Sequence, residues 1–184
     1  DEIADMIRSQ MPLQPKIGII LGSGLGALAD DVENKQVIPY SEIPGWPVST
    51  VIGHSGRLVI GQLEQQNVFV MQGRVHYYEG YSMAQVTLPV RVMQRLGIKI
   101  MFVTNAAGAV NPVYEPGDLM LITDHLNLIG MAGLSPLRGP NLDEIGQRFP
   151  DMSQAYDRDL GETAKQVAKA KSITLHGGVY AGLA

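Results

Sequence analysis

Arg74, His76 and Tyr78 alternate within the stretch Met71-Gln72-Gly73-Arg74-Val75-His76-Tyr77-Tyr78-Glu79-Gly80-Tyr81. The stretch follows Val68-Phe69-Val70-Met71, an apolar run that reads as a buried strand. Side chains alternate faces in an extended chain, so continued extension past Gly73 points all three the same way. That face carries a guanidinium fork, an imidazole and a phenol, a set suited to a phosphate beside a hydroxyl group. Glu79 is placed to hold the imidazole in one tautomer. The alternative is a polar edge strand with a chance basic face.

Three further segments invite an anion. Lys16 to Leu21 reads as a strand running into Gly22-Ser23-Gly24-Leu25-Gly26, with a short helix suggested from Ala27. Free backbone N–H groups and a helix start favour negative charge there, and Ser23 adds a hydroxyl. The glycine spacing fits neither the P-loop nor the dinucleotide fingerprint, and a tight turn is the plainer reading. Gly53-His54-Ser55-Gly56 sets a histidine in a glycine-flanked loop, where most histidines are merely solvated. The strand from Ile98 to Thr104 ends in Asn105-Ala106-Ala107-Gly108-Ala109, small residues against which a ligand can press.

The remaining elements must hold these strand ends together. Asp1 to Gln10 has helical periodicity, and Pro12 and Pro15 end it. Residues 57–63 and 67–72 form an expected hairpin with its turn at Glu64-Gln65-Gln66. Ser82 and Gln85 make a capping box for a helix to Leu96, with Val86, Val90 and Met93 on its apolar side, Pro89 inside it and Gly97 as its stop. Leu119 to Thr123 is a strand, and Gly130 to Pro150 a long loop carrying Phe149. A helix is expected over 153–171 with Leu160, Ala164, Val167 and Ala168 inward, and a final strand over 174–184. His125 and His176 read as structural. Strands alternating with helices predict a single α/β domain over 1–184, a central mixed sheet flanked by helices, with its ligand at the carboxyl ends of strands.

The sequence has 184 residues, 45% hydrophobic and 17% charged, with a formal net charge of −4. That suits a globular domain able to bury a core. No basic block points to nucleic acid, no apolar run spans a membrane, and a cytoplasmic protein is the default expectation. With no cysteine there is no disulfide, thiolate metal site or cysteine nucleophile. The apolar run Val179 to Ala184 lacks a polar tail, so the C-terminal part of the fold is expected to lie further along.

The motifs Leu21 to Gly26, Ile43-Pro44-Gly45-Trp46-Pro47-Val48-Ser49-Thr50-Val51 with Gly53 to Gly56, Gly73 to Gly80, Thr104 to Gly108 and Arg148-Phe149-Pro150 closely resemble the trimeric purine nucleoside phosphorylases. They occur in family order across nearly the whole chain. The resemblance implies reversible phosphorolysis of purine ribo- and deoxyribonucleosides to free base and sugar 1-phosphate, a pentosyltransferase reaction of purine salvage. It implies that Ser23, His54, Arg74, His76 and the Ala106 N–H hold phosphate, with Arg74 and His76 central to catalysis. Tyr78 would contact the ribose, and Phe149 would cover the ribose site of a neighbouring subunit in a homotrimer. Phosphate would be a co-substrate, with no cofactor or metal.

Ala109 stands where many relatives have glycine, a mild departure. The family's base-reading glutamate and later site residues fall beyond Ala184, so the purine preference is not legible. The 184-residue chain alone is expected to be inactive and poorly soluble. Rival readings are a methylthioadenosine phosphorylase, which shares part of the motifs, and an inactive phosphate-binding fragment or paralogue. A dinucleotide-dependent oxidoreductase is disfavoured by the glycine spacing.

Overall fold

A computed structural model describes residues 1–49 and 55–183. The chain divides into two compact units, Asp1–Ala107 and Gly108–Ala184, each described by itself. Among the described residues no helix is long and apolar enough to cross a membrane.

The first unit is built on a five-stranded mixed sheet. Its strands are β1 (Ile17–Leu21), β2 (Glu33–Pro39), β3 (Arg57–Leu63), β4 (Gln66–Gln72) and β5 (Ile100–Val103), in the order β2-β3-β4-β1-β5. β1 pairs in parallel with β4 and β5, while β3 runs antiparallel to β2 and β4. Alternation sorts the apolar side chains into two layers. Ile20, Ile38, Leu58, Ile60, Phe69 and Met71 pack with helix α1 (Glu2–Gln10) and helix α2 (Met83–Arg95). Ile19, Leu21, Val59, Val68 and Val70 form the other layer with Ala29 and Val32, at the end of a 3-10 turn over Gly26–Asp31.

Local chemistry sets the boundaries of α2. The Ser82 hydroxyl accepts from the Gln85 N–H at 3.3 Å, and the Gln85 side chain accepts from the Ser82 N–H at 2.9 Å. Gly97, at φ 83°, lets the Ile98 N–H return to the Met93 carbonyl at 3.1 Å and close the helix. Pro89 is buried within the helix, whereas Val90, expected inward, is exposed. The hairpin turns on Glu64 and Gln65 alone, and β4 begins at Gln66.

β2 was not apparent from the sequence. Its first half, Glu33-Asn34-Lys35-Gln36, is polar, and the pairing with β3 shifts register there, with Asn34 at φ 48°. Beyond β4 the chain does not stay extended. Gly73 turns at φ 99°, and Tyr77–Glu79 forms a 3-10 turn, so the alternation expected through Tyr78 is broken.

The second unit pairs β6 (Leu119–Asn127) with β7 (Leu175–Gly182) in parallel. It also contains the one-turn helix α3 (Leu128–Met131) and helix α4 (Arg158–Ala170). α4 starts later than expected. Asp157 caps it by accepting from the Leu160 N–H at 2.9 Å, while Ser153 is held in a turn by Asp151. Hydrogen bonds from Ser153 hold the Asp151 carboxyl below its ordinary pKa. On α4, Leu160 and Ala164 are half-buried and Ala168 is buried, but Val167 is exposed rather than inward. The long loop is tied internally, with Arg148 Nη1 donating to the carbonyls of Leu137 at 2.6 Å and Gly139 at 2.9 Å.

Candidate functional site

The carboxyl ends of β1 and β5 are fused by side chains and by close backbone approach. The Gly22 N–H donates to the Thr104 hydroxyl at 2.9 Å, and that hydroxyl donates to the Ile20 carbonyl at 3.1 Å. A Cβ on Gly22 would lie 2.5 Å from the Thr104 carbonyl oxygen, so only glycine admits this approach. The Gly22–Gly26 turn and the Asn105-Ala106 segment therefore leave the sheet side by side. Ser23 and Ala106 are both exposed on them.

Arg74 is directed to the same place. Its Nη1 donates to the Thr104 carbonyl at 3.0 Å and makes a long contact of 3.5 Å with the Leu21 carbonyl. The guanidinium thus sits where the glycine turn and the Asn105 segment begin. Ser23, Arg74 and Ala106 are brought to one end of the sheet. A small recess lined by Ile20, Trp46, Met71, Val75 and Val86, among other apolar residues, has Arg74 as its charged side chain. Weak screening in such surroundings strengthens the attraction of the guanidinium for an anion. The Trp46 Nε1 is buried beside it with no hydrogen-bond partner among the described residues.

His76 is fixed by Glu79. One carboxylate oxygen accepts from the His76 backbone N–H at 2.7 Å and lies 2.9 Å from Nδ1. With Glu79 ionised, its oxygen only accepts, and Nδ1 is then the protonated ring nitrogen. The other Glu79 oxygen accepts from the Ser49 hydroxyl at 3.0 Å, and the Glu79 side chain is 2% exposed. Tyr78 reaches His76 by a route the sequence did not suggest. The 3-10 turn, not strand alternation, stacks the two rings with centroids 4.9 Å apart. Tyr78 is 73% exposed.

His54 lies outside the described residues. Phe149 belongs to the second unit, is 84% exposed, and has the Arg148 guanidinium 5.9 Å from its ring centre. His176 pairs with Asp118 at 3.1 Å and packs on Tyr114. His125 differs from the expectation that neighbours satisfy it. Its Nδ1 is buried with no hydrogen-bond partner among the described residues, and its ring meets Tyr156 edge-on. Burial, with Asp124 and Tyr180 nearby, raises the Tyr156 pKa.

Two contributors escaped the sequence reading: Ser49 and Thr104. Thr104 ends an apolar strand with a side chain able to donate and accept, and that position is the signal that was available. Among the described residues no group of three His, Cys, Asp or Glu side chains is arranged to hold a metal.

The chain is similar to known proteins along nearly its whole length. Residues 16–184 match the Phosphorylase superfamily. The chain is 54% identical over 180 residues to purine nucleoside phosphorylase 1 of Bacillus subtilis, covering 98% of this chain and 65% of that protein. It is 52% identical over 174 residues to the purine nucleoside phosphorylase of Rattus norvegicus, covering 92% of this chain and 60% of that protein. The crystal structure of Schistosoma mansoni purine nucleoside phosphorylase in complex with inosine superposes with a TM-score of 0.93 at 47% identity, covering 99% of this chain and 64% of that one. The chain thus spans a little under two thirds of the length of these relatives. With a match running from the first strand to its last residue, it belongs to the phosphorylase superfamily.

Proposed function

We propose that this chain carries the phosphate-binding part of a purine nucleoside phosphorylase, which converts a purine nucleoside and phosphate reversibly into free base and pentose 1-phosphate. The observation that carries the reading is the placement of the Arg74 guanidinium at the joined ends of β1 and β5, between the glycine turn and Asn105-Ala106. Relatives about half identical in sequence bear this activity in their names, and one solved relative holds inosine.

In this reading Ser23, His54, Arg74, His76 and the Ala106 N–H hold the phosphate, and Tyr78 meets the pentose. Phosphate is itself the nucleophile, so no covalent enzyme intermediate is required. One of its oxygens bonds to the anomeric carbon as the bond from that carbon to the purine nitrogen breaks, and the electron pair leaves with the base. Holding the anion in line supplies about 7–11 kcal/mol of the barrier reduction that orientation alone can give. The fixed donors then act on an oxocarbenium-like transition state. His76, its Nδ1 proton committed to Glu79, presents Nε2 to a phosphate oxygen. Phosphate is a co-substrate, and no cofactor enters the scheme. Phe149 covers the pentose site of a neighbouring copy in a homotrimer, and the protein works in the cytoplasm.

Arg74→Lys tests the reading in a protein that joins this sequence to the C-terminal third its relatives possess. Lysine keeps the charge and loses the planar fork that meets two oxygens at once. The expected result is a phosphate KM raised at least tenfold, with the inosine KM changed less than threefold. Equal shifts in both would remove Arg74 from the phosphate site.

A further inference from the structure

Gln72 is a polar residue buried at the edge of the core, at 5% exposure counting backbone and side chain together. It is the last residue of β4 and stands directly before Gly73-Arg74. Its carboxamide is oriented without ambiguity. The Arg57 Nε only donates, so it meets Oε1; the Gly26 carbonyl only accepts, so it meets Nε2, at 2.7 Å.

Arg57 also reaches Asp30 Oδ1 at 3.2 Å, and Asp30 lies in the 3-10 turn that opens at Gly26. The contacts therefore close a circuit from Gly26 through Gln72 and Arg57 to Asp30, gripping the short turn at both ends. The outer arm is weak, because both of its partners are solvent-exposed and an exposed ion pair contributes little. The part-buried Gln72–Gly26 bond is the stronger arm. The Gln72 carbonyl also accepts from the Gly56 N–H at 3.1 Å, which anchors the chain as it re-enters the sheet after residues 50–54. Two anion-suited segments, Gly22–Gly26 and Arg74, are thus referenced to one residue, which also holds Gly56.

We infer that Gln72 is a positioning residue for the anion site, setting the glycine turn by holding its last carbonyl. The functional consequence rests on the phosphate-binding reading above; the structural claim does not. Gln72→Glu separates the two arms at nearly constant size. A carboxylate still accepts from Arg57 but turns a second acceptor toward the Gly26 oxygen, and like partial charges at that distance push the turn away. Gln72→Met removes both arms while filling the space.

Two measurements on the chain decide the matter. In the first, backbone amide exchange is followed at Leu25 and Leu28, whose N–H groups bond to the Gly22 and Leu25 carbonyls. Both variants should exchange at least tenfold faster at these two amides, with α2 unchanged. In the second, inorganic phosphate is titrated into each variant. Gln72→Glu should weaken binding at least tenfold, and Asp30→Asn less than twofold.

Unchanged exchange at Leu25 and Leu28 would overturn the inference. So would equal acceleration throughout α2, which would make Gln72 an ordinary core residue, or an Asp30→Asn effect as large as that of Gln72→Glu. Faster exchange with phosphate affinity unaltered would also overturn it. If the unsubstituted chain binds no phosphate, the proposed function loses its support, and the exchange experiment still decides whether Gln72 sets the turn. If Gln72→Glu fails to fold, Gln72→Met carries the same comparison.

Discussion

The two units of this chain solve the same packing problem to very different extents. In the first, a five-stranded sheet has apolar side chains on both faces, and α1, α2 and the Gly26–Asp31 turn contribute to the layers above and below it. In the second, a two-stranded parallel ladder and one long helix leave Ala168 as the single buried apolar residue among those described. Leu119, Leu126 and Val179 stand on those strands more than half exposed. Parallel strands ordinarily have both faces covered, and a two-stranded sheet is marginal by itself. The candidate anion site occupies the unit that has a core, and its donors are held to strand ends that a core fixes in place. Rigid support and binding chemistry coincide here, as a site that must hold an anion in line requires.

The sharpest way to break this comparison is to replace one apolar side chain on a strand of each unit. Phe69, 0% exposed, lies at the centre of the larger layer. Phe69→Ala should destabilise the first unit by about 3–5 kcal/mol, enough to unfold a marginally stable unit. Val179→Thr on β7, where the side chain is 58% exposed, should change stability by no more than about 0.5 kcal/mol. Denaturant titration followed by circular dichroism separates the two. Comparable losses would mean that the second unit has cover in solution.

Helix caps make a subtler probe, because a side-chain cap of the same kind starts α2 in one unit and α4 in the other. Ser82 caps α2, which packs on the sheet, and Asp157 caps α4, which buries one residue. Ser82→Ala should cost the whole first unit about 1 kcal/mol, registered as a shifted cooperative transition. Asp157→Ala removes a bond of similar strength, yet its effect should stay local, as faster amide exchange in the first turn of α4. A cooperative shift from Asp157→Ala would show the second unit to be more tightly coupled than its burial suggests.

The contrast also explains what could be read from sequence and what could not. α1, α2, the hairpin and β1 are written in short-range patterns, such as the Ser82-x-x-Gln85 box and the glycine after Leu96. Those signals act through bonds a few residues long, so they survive without knowledge of the fold. β2 was missed because its bulge at Asn34 breaks the alternation while its pairing with β3 compensates. In the site, the residue types at Gly22–Gly26, Arg74 and His76 were legible, because anion chemistry demands them. The supports were not: Gln72 meets Gly26 across 46 residues, Ser49 meets Glu79 across 30, and Thr104 meets Gly22 across 82. Such partners are chosen by strand order, which no local pattern encodes. Val90 and Val167 were misplaced for a related reason, since helical periodicity gives the width of an apolar face but not which of its margins faces the core.

The smallest effect concerns how the first unit sets its own register. Glu64 and Gln65 both lie in the left-handed region, at φ 48° and 63°, in a two-residue turn between β3 and β4. That turn favours Asn-Gly, and an ordinary side chain there costs roughly 1–2 kcal/mol per residue. The hairpin nevertheless keeps its pairing, with Leu58 opposite Met71 and Ile60 opposite Phe69. A slip of β3 by one residue would turn Leu58 and Ile60 away from the layer they fill, so the core outweighs the turn. Replacing Glu64-Gln65 by Asn-Gly relieves the strain fully at the glycine and only in part at the asparagine, and glycine gives back roughly 0.5–1 kcal/mol in unfolded-state entropy. The net gain should be about 1 kcal/mol, a rise in Tm of a few degrees for the first unit. Amide exchange in β6 and β7 should not change. A larger gain, with altered exchange through β3 and β4, would mean that the turn and not the core had been limiting the register.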